Sequence, residues 1–184
     1  MDELGRKIDK VSNELTNLRW EIWTEHVVFT WKWWMLVIIC IVFSVVFVRF
    51  IRKDKLLQTI SYFGIIYIIN RNFDDIATVQ DWYDYRIQLE PLIPTMLPAN
   101  LFIVPISLTL IYQKFSNWKE FMIVLLLFSG FVSFIALPMM RDFDFYLTKN
   151  WNAFYSVLSL LFMASLSKVI VDQFKKIQDR NYKA

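Results

Sequence analysis

The chain has 184 residues, of which 57% are hydrophobic and only 20% charged, with 17 Phe, 8 Trp and a formal net charge of +3. A soluble fold of this size has too little interior to hide so much apolar surface, and three glycines poorly suit a turn-and-sheet architecture. The basic residues gather at the ends of apolar runs, a pattern of membrane orientation, so the expected partner is a lipid bilayer and not nucleic acid.

The first 30 residues are charged and mixed, without the short apolar core of a signal peptide and without a lipidation signal. Leu4, Ile8, Val11, Leu15, Leu18 and Ile22 recur at alternating steps of four and three. That spacing predicts an amphipathic helix with a narrow apolar seam. It either lies on the membrane or domain surface or self-associates as a short coiled coil. A homo-oligomer or another membrane protein is the partner this seam suggests. Residues 1–30 are therefore read as an N-terminal helix and its approach to the membrane.

A transmembrane bundle is expected over residues 31–171. Trp31, Trp33 and Trp34 surround Lys32 and read as an interfacial anchor before a first span at about 34–51, closed by Arg49, Arg52, Lys53 and Lys55. Cys40 sits inside that run as a lone, small hydrophobe. A second candidate, 56–70, is short for a crossing, which needs about 20 residues; a re-entrant or interfacial helix is the alternative. Residues 71–90 read as an outer connection rich in Asp74, Asp75, Asp81, Asp84 and Glu90, with Trp82 as a further anchor.

The third span, about 92–113, holds or adjoins Pro91, Pro94, Pro98 and Pro105, four of the five prolines. Pro105 is expected to interrupt the helix in mid-membrane, because proline lacks an N–H and crowds the preceding turn. Asn100, Thr95, Ser107 and Thr109 are the groups at hand to satisfy the carbonyls so exposed. Pro98, Asn100, Pro105 and Ser107 thus mark the candidate kink or ligand site, with Asn100 facing the bundle interior. Trp118 anchors a fourth span at about 121–140, and Trp151 opens a fifth at about 152–171. Lys168 reads as an edge lysine that snorkels, and 172–184 as a basic cytoplasmic tail.

The predicted fold is an all-α membrane protein, a small bundle of about five transmembrane helices with a proline-kinked third span. With five spans, the inner segments hold eleven basic residues against four acidic ones, placing the N-terminus outside and the C-terminus inside. His26, the single histidine, has no triad or metal partners in sequence, and no phosphate loop, dinucleotide fingerprint, HExxH or CxxC is present. No cofactor, metal site or catalytic residue is assigned.

The run from Trp82-Tyr83 through Pro91 and Pro94, followed by Tyr112-Gln113-Lys114-Phe115 with Trp118-Lys119, resembles an uncharacterised family of small multi-pass membrane proteins of endospore-forming Firmicutes. That resemblance implies a bacterial plasma-membrane protein of about five spans and transfers no catalytic residue. Three functions compete. The first is a structural or interaction subunit of a bacterial membrane assembly. The second is a small transporter or ligand-binding module with a site near Asn100, which requires a polar cavity there. The third is a membrane enzyme using loop carboxylates.

Overall fold

The computed structural model describes residues 2–181, so Lys183 of the predicted tail lies outside the described residues. The helices are α1 (Asp2–Ile22), α2 (Trp31–Phe50), α3 (Leu56–Val79), α4 (Val104–Lys114), α5 (Trp118–Phe131), α6 (Leu137–Asp142) and α7 (Ala153–Asn181). π-Helical turns at Trp23–Val27, Pro98–Ile103 and Val132–Ala136 follow α1 or precede α4 and α6. Three helical rods are long and apolar enough to cross a membrane: Trp31–Phe50, Trp118–Asp142 and Ala153–Arg180.

The rods alternate in direction between two polar ends. At one end, Trp33 Nε1 donates to the Leu89 carbonyl at 2.9 Å and Lys32 meets Asp144 at 3.4 Å. At the other, Gln113 Nε2 donates to the Phe50 carbonyl at 2.7 Å while its Oε1 accepts from the Arg52 amide at 3.0 Å. One glutamine side chain thus ties the end of α2 to the end of α4. Between the ends lies an apolar core of Tyr62, Ile66, Leu108, Phe121, Leu125 and Leu160, with Tyr62 and Tyr112 stacked at 4.2 Å.

Two of the five predicted spans take a different form. The stretch 56–70 belongs to the 24-residue α3, which continues to Val79. Its length suffices for a crossing, but Gln58, Asn70, Arg71, Asp74 and Asp75 make it too polar to qualify as one by composition. The expected outer connection therefore begins near residue 80 and not at 71. The stretch 92–96 is not helix: the rod there runs from about Leu97 to Lys114. Pro91 and Pro94 account for this, since proline disfavours the helical conformation in the residue before it. Pro98 instead sits in the first turn of the rod, where its missing N–H is not needed, and Leu97 before it is already helical.

Pro105 does not interrupt the rod, because the π-helical turn accommodates it. The Val104 amide reaches back to the Ala99 carbonyl, five residues away. Pro138 repeats the arrangement: the Leu137 amide bonds Val132, again five residues back, and α6 continues with proline second in the helix. Widening the turn ahead of a proline relieves the clash between its ring and the carbonyl four residues before it. Asn100 is thereby released from the carbonyl-satisfying task the sequence suggested for it. Thr95 and Thr109, offered the same task, are buried with hydroxyls that meet no protein partner.

A short β-ribbon closes the end that holds Leu89 and Asp144. Tyr83–Tyr85 (β1) and Tyr146–Thr148 (β2) pair antiparallel, with Tyr83 opposite Thr148 and Tyr85 opposite Tyr146. Both strands are delivered by the same helix ending. Asp81 and Asp144 adopt left-handed φ values of 59° and 60°. Trp82 N then bonds Ala77 O, and Phe145 N bonds Met140 O, closing a six-to-one turn after α3 and α6. Aspartate tolerates this conformation better than most residues. Lys149 pairs with Asp81 and Lys32 with Asp144, fastening both turns.

Candidate functional site

The buried stripe of α3 runs Thr59, Tyr62, Ile66, Asn70, Asp74 and Ala77, steps of three and four that keep one helical face inward. Its lower half is apolar. Its upper half places a carboxylate and an amide in the interior, directly beneath the β-ribbon. Arg71 and Asp75, one position further round, pair with each other at 3.1 Å on the neighbouring face.

Three donors converge on Asp74. Tyr83 Oη and Tyr85 Oη donate to Oδ1 at 2.8 and 2.9 Å, and Asn100 Nδ2 donates to Oδ2 at 2.5 Å. Asn70 Nδ2 in turn donates to Asn100 Oδ1 at 2.7 Å. Asp74 accepts all three bonds, which favours its carboxylate form, while its burial works against the charge. Burial first, and then the charge of Asp74, hold the phenols of Tyr83 and Tyr85 far above their ordinary range, so both stay protonated donors. Three separate chain segments meet in this network: α3, the β-ribbon and the π-helical turn before α4.

Beside the network is a cavity of about 100 Å³, lined by Asp74, Asn100, Tyr83, Tyr85, Tyr146 and Trp151 among others. The ligand reading requires a polar cavity at Asn100; the cavity there is mainly apolar, with Asp74 and Asn100 as a polar patch among walls such as Val104, Leu137 and Leu160. Of the other residues grouped with Asn100, Pro98 and Pro105 are buried structural elements of the turn, whereas half-buried Ser107 takes no part in the network. Asp74, Tyr83 and Tyr85 were not singled out as partners of Asn100. The available signal was the repeated order Asp-aromatic-Tyr at 81–83 and 144–146, which marks the two turns that bring the ribbon together.

The six tryptophans read as anchors separate into two kinds. Trp31, Trp34 and Trp118 are exposed. Trp82 and Trp151 instead stack on each other at 5.1 Å and pack beside Tyr83, and Trp33 hydrogen-bonds Leu89.

A second polar cluster occupies the opposite end. Lys168 is 1% exposed and does not snorkel. Its Nζ donates to the Ser116 carbonyl at 3.1 Å, meets Asp172 at 3.2 Å, and lies 4.9 to 5.3 Å from the ring centres of Tyr112, Trp118 and Phe121. Tyr112 Oη accepts from Gln58 at 2.5 Å and donates to Asp172 at 3.2 Å. The lysine is held inside because carbonyl, carboxylate and ring faces replace the water it gives up.

The seam of α1 stays unburied: Leu4, Ile8, Val11, Leu15, Leu18 and Ile22 are all exposed. Compared with family models, curated proteins and solved structures, the chain finds no match, so what can be said of its function stands on this geometry.

Proposed function

We propose that this protein is a ligand-binding membrane module whose site is the cavity beside Asp74 and Asn100. The observation that carries the reading is that the buried Asp74–Asn100 pair borders a cavity whose remaining wall is largely apolar and aromatic. The apolar core of Tyr62, Ile66, Leu108 and Leu125 separates that cavity from the Lys168 end, which favours binding over an open conduction path. The proposal includes five crossings, with α3 and the rod ending at Lys114 as the second and third, and the π-helical turn serving as the bend of the third. It also includes an external N-terminus, from the basic residues of the inner segments, and a bacterial plasma membrane, from the family resemblance.

A thermal-unfolding screen tests this reading. The purified full chain in mild detergent is challenged with small cationic, neutral and anionic solutes. A saturable, concentration-dependent rise in Tm with at least one class is expected, since a ligand that binds only the folded state stabilises it. No response to any class would remove the reading.

A second reading, an interaction subunit of a membrane assembly, has its own support in the unburied seam of α1. Writing Leu4, Val11 and Leu18 as d and Ile8, Leu15 and Ile22 as a places Glu14 at g and Arg19 at e. In a parallel pair of copies, Glu14 of each faces Arg19 of the other, so the occupant this surface suits is a second copy of the chain. Val11→Glu, Leu15→Glu and Leu18→Glu together are expected to reduce the dimer to monomer in light-scattering measurements in mild detergent. An unchanged mass would dissociate α1 from self-association.

A further inference from the structure

We propose that the cavity at the ribbon end binds a small organic ammonium ion, held by the Asp74 carboxylate against the rings of Tyr83, Tyr85, Tyr146 and Trp151. The inference rests on the ligand-binding reading above and names the chemical class of its ligand.

It begins from a buried carboxyl group without a cationic partner. Asp74 is 4% exposed and accepts three hydrogen bonds, but none of its partners is cationic. The basic side chains of this end are engaged elsewhere: Arg71 with Asp75, Lys149 with Asp81, Lys32 with Asp144, Arg86 with Asp84 and Arg141 with Asp142. Hydrogen bonds from neutral donors disperse a buried negative charge without neutralising it, and buried charges are ordinarily paired or bound to a cation. A cation entering the cavity supplies the missing partner.

The walls determine which cation. Tyr83 and Tyr146 stand 5.4 Å apart, Tyr85 and Tyr146 5.7 Å, and Tyr83 and Trp151 5.8 Å, so the rings form a contiguous aromatic wall around the carboxylate. Such walls bind alkylammonium ions through the ring quadrupole and the apolar contact of N-methyl groups. A metal ion would need several converging oxygen ligands. Here, among the described residues, no group of three His, Cys, Asp or Glu side chains converges. Size narrows the class further. A volume of about 100 Å³ is close to the space of about three waters in the liquid, so the ligand carries only a few heavy atoms.

Saturation-transfer NMR on the ligand methyl protons tests the assignment, using the full chain in mild detergent at constant ionic strength. Methylammonium and tetramethylammonium are the cationic probes, tert-butanol the neutral one and acetate the anionic one. Saturable transfer is expected for an ammonium probe, undiminished by exchanging sodium for potassium and at least about tenfold weaker in Asp74→Asn. Trp151→Leu, in the aromatic wall, is expected to weaken the same probe severalfold and serves where Asp74→Asn does not fold. Saturable binding of tert-butanol or acetate without ammonium binding would overturn the ligand class and leave the cavity reading standing. Ammonium binding unchanged in either variant would also overturn the assignment. Silence from every probe, with no response in the thermal screen, would remove both.

Discussion

Replacing Lys168 with alanine is expected to destabilise the protein by about 3 kcal/mol, the lower part of the range for breaking a buried ion pair. Lys168 is 1% exposed and gives up its hydration to its protein contacts, while its partner Asp172 keeps a partly exposed side chain and is less severely stranded. The substitution also opens space between Tyr112, Trp118 and Phe121, whose ring faces lose their cation. Lys168→Met restores most of the volume without the charge, so it should recover part of the loss. Unfolding in mixed micelles of increasing SDS fraction measures both. A cost below about 1 kcal/mol for the alanine variant would mean that the ammonium reaches the headgroups instead, as exposed ion pairs of that size do.

Asn100→Leu should cost about 3 kcal/mol. Its side chain is a two-way link: Nδ2 donates to Asp74 and Oδ1 accepts from Asn70. Leucine fills a similar space but leaves an amide donor and one carboxylate oxygen without that partner, each worth about 1–3 kcal/mol when buried. Because Asn70 and Asn100 share one bond, the double variant Asn70→Leu/Asn100→Leu should be less destabilised than the sum of the singles by about 1 kcal/mol. Ser107→Ala provides the contrast. Ser107 lies on the same rod, half-buried and outside the network, so its loss should fall within about 0.5 kcal/mol. Additivity of the two asparagine variants would show that the amides act separately.

The helical membrane character was legible because it depends on long apolar runs, a one-dimensional property. Trp31–Phe50, Trp118–Asp142 and Ala153–Arg180 all stand where hydropathy put them. The exposed period of α1 was legible for the same reason, since a four-three spacing requires only the helical turn. Asn100 was legible as an interior residue because an amide in an apolar run must find a partner. Which partner it would find was not. Asp74 lies 26 residues away, and its place beside Asn100 depends on α3 continuing past the end expected at residue 70.

Proline shows the division most clearly. By itself, the sequence determined that Pro98 and Pro105 would disturb the third rod and that Asn100 would point inward. Only the tertiary structure decided that a π-helical turn would take up the proline, freeing Asn100 to join Asp74, Tyr83 and Tyr85. Likewise, Lys168 could be placed near a helix end from sequence, but its burial required Ser116 of the α4–α5 connection and Trp118 and Phe121 of α5 to surround it. The physical reason is common to both cases. Local geometry and apolar run length are fixed along the chain, whereas the cost of burying a polar group is set by donors, acceptors and rings that only folding brings within reach.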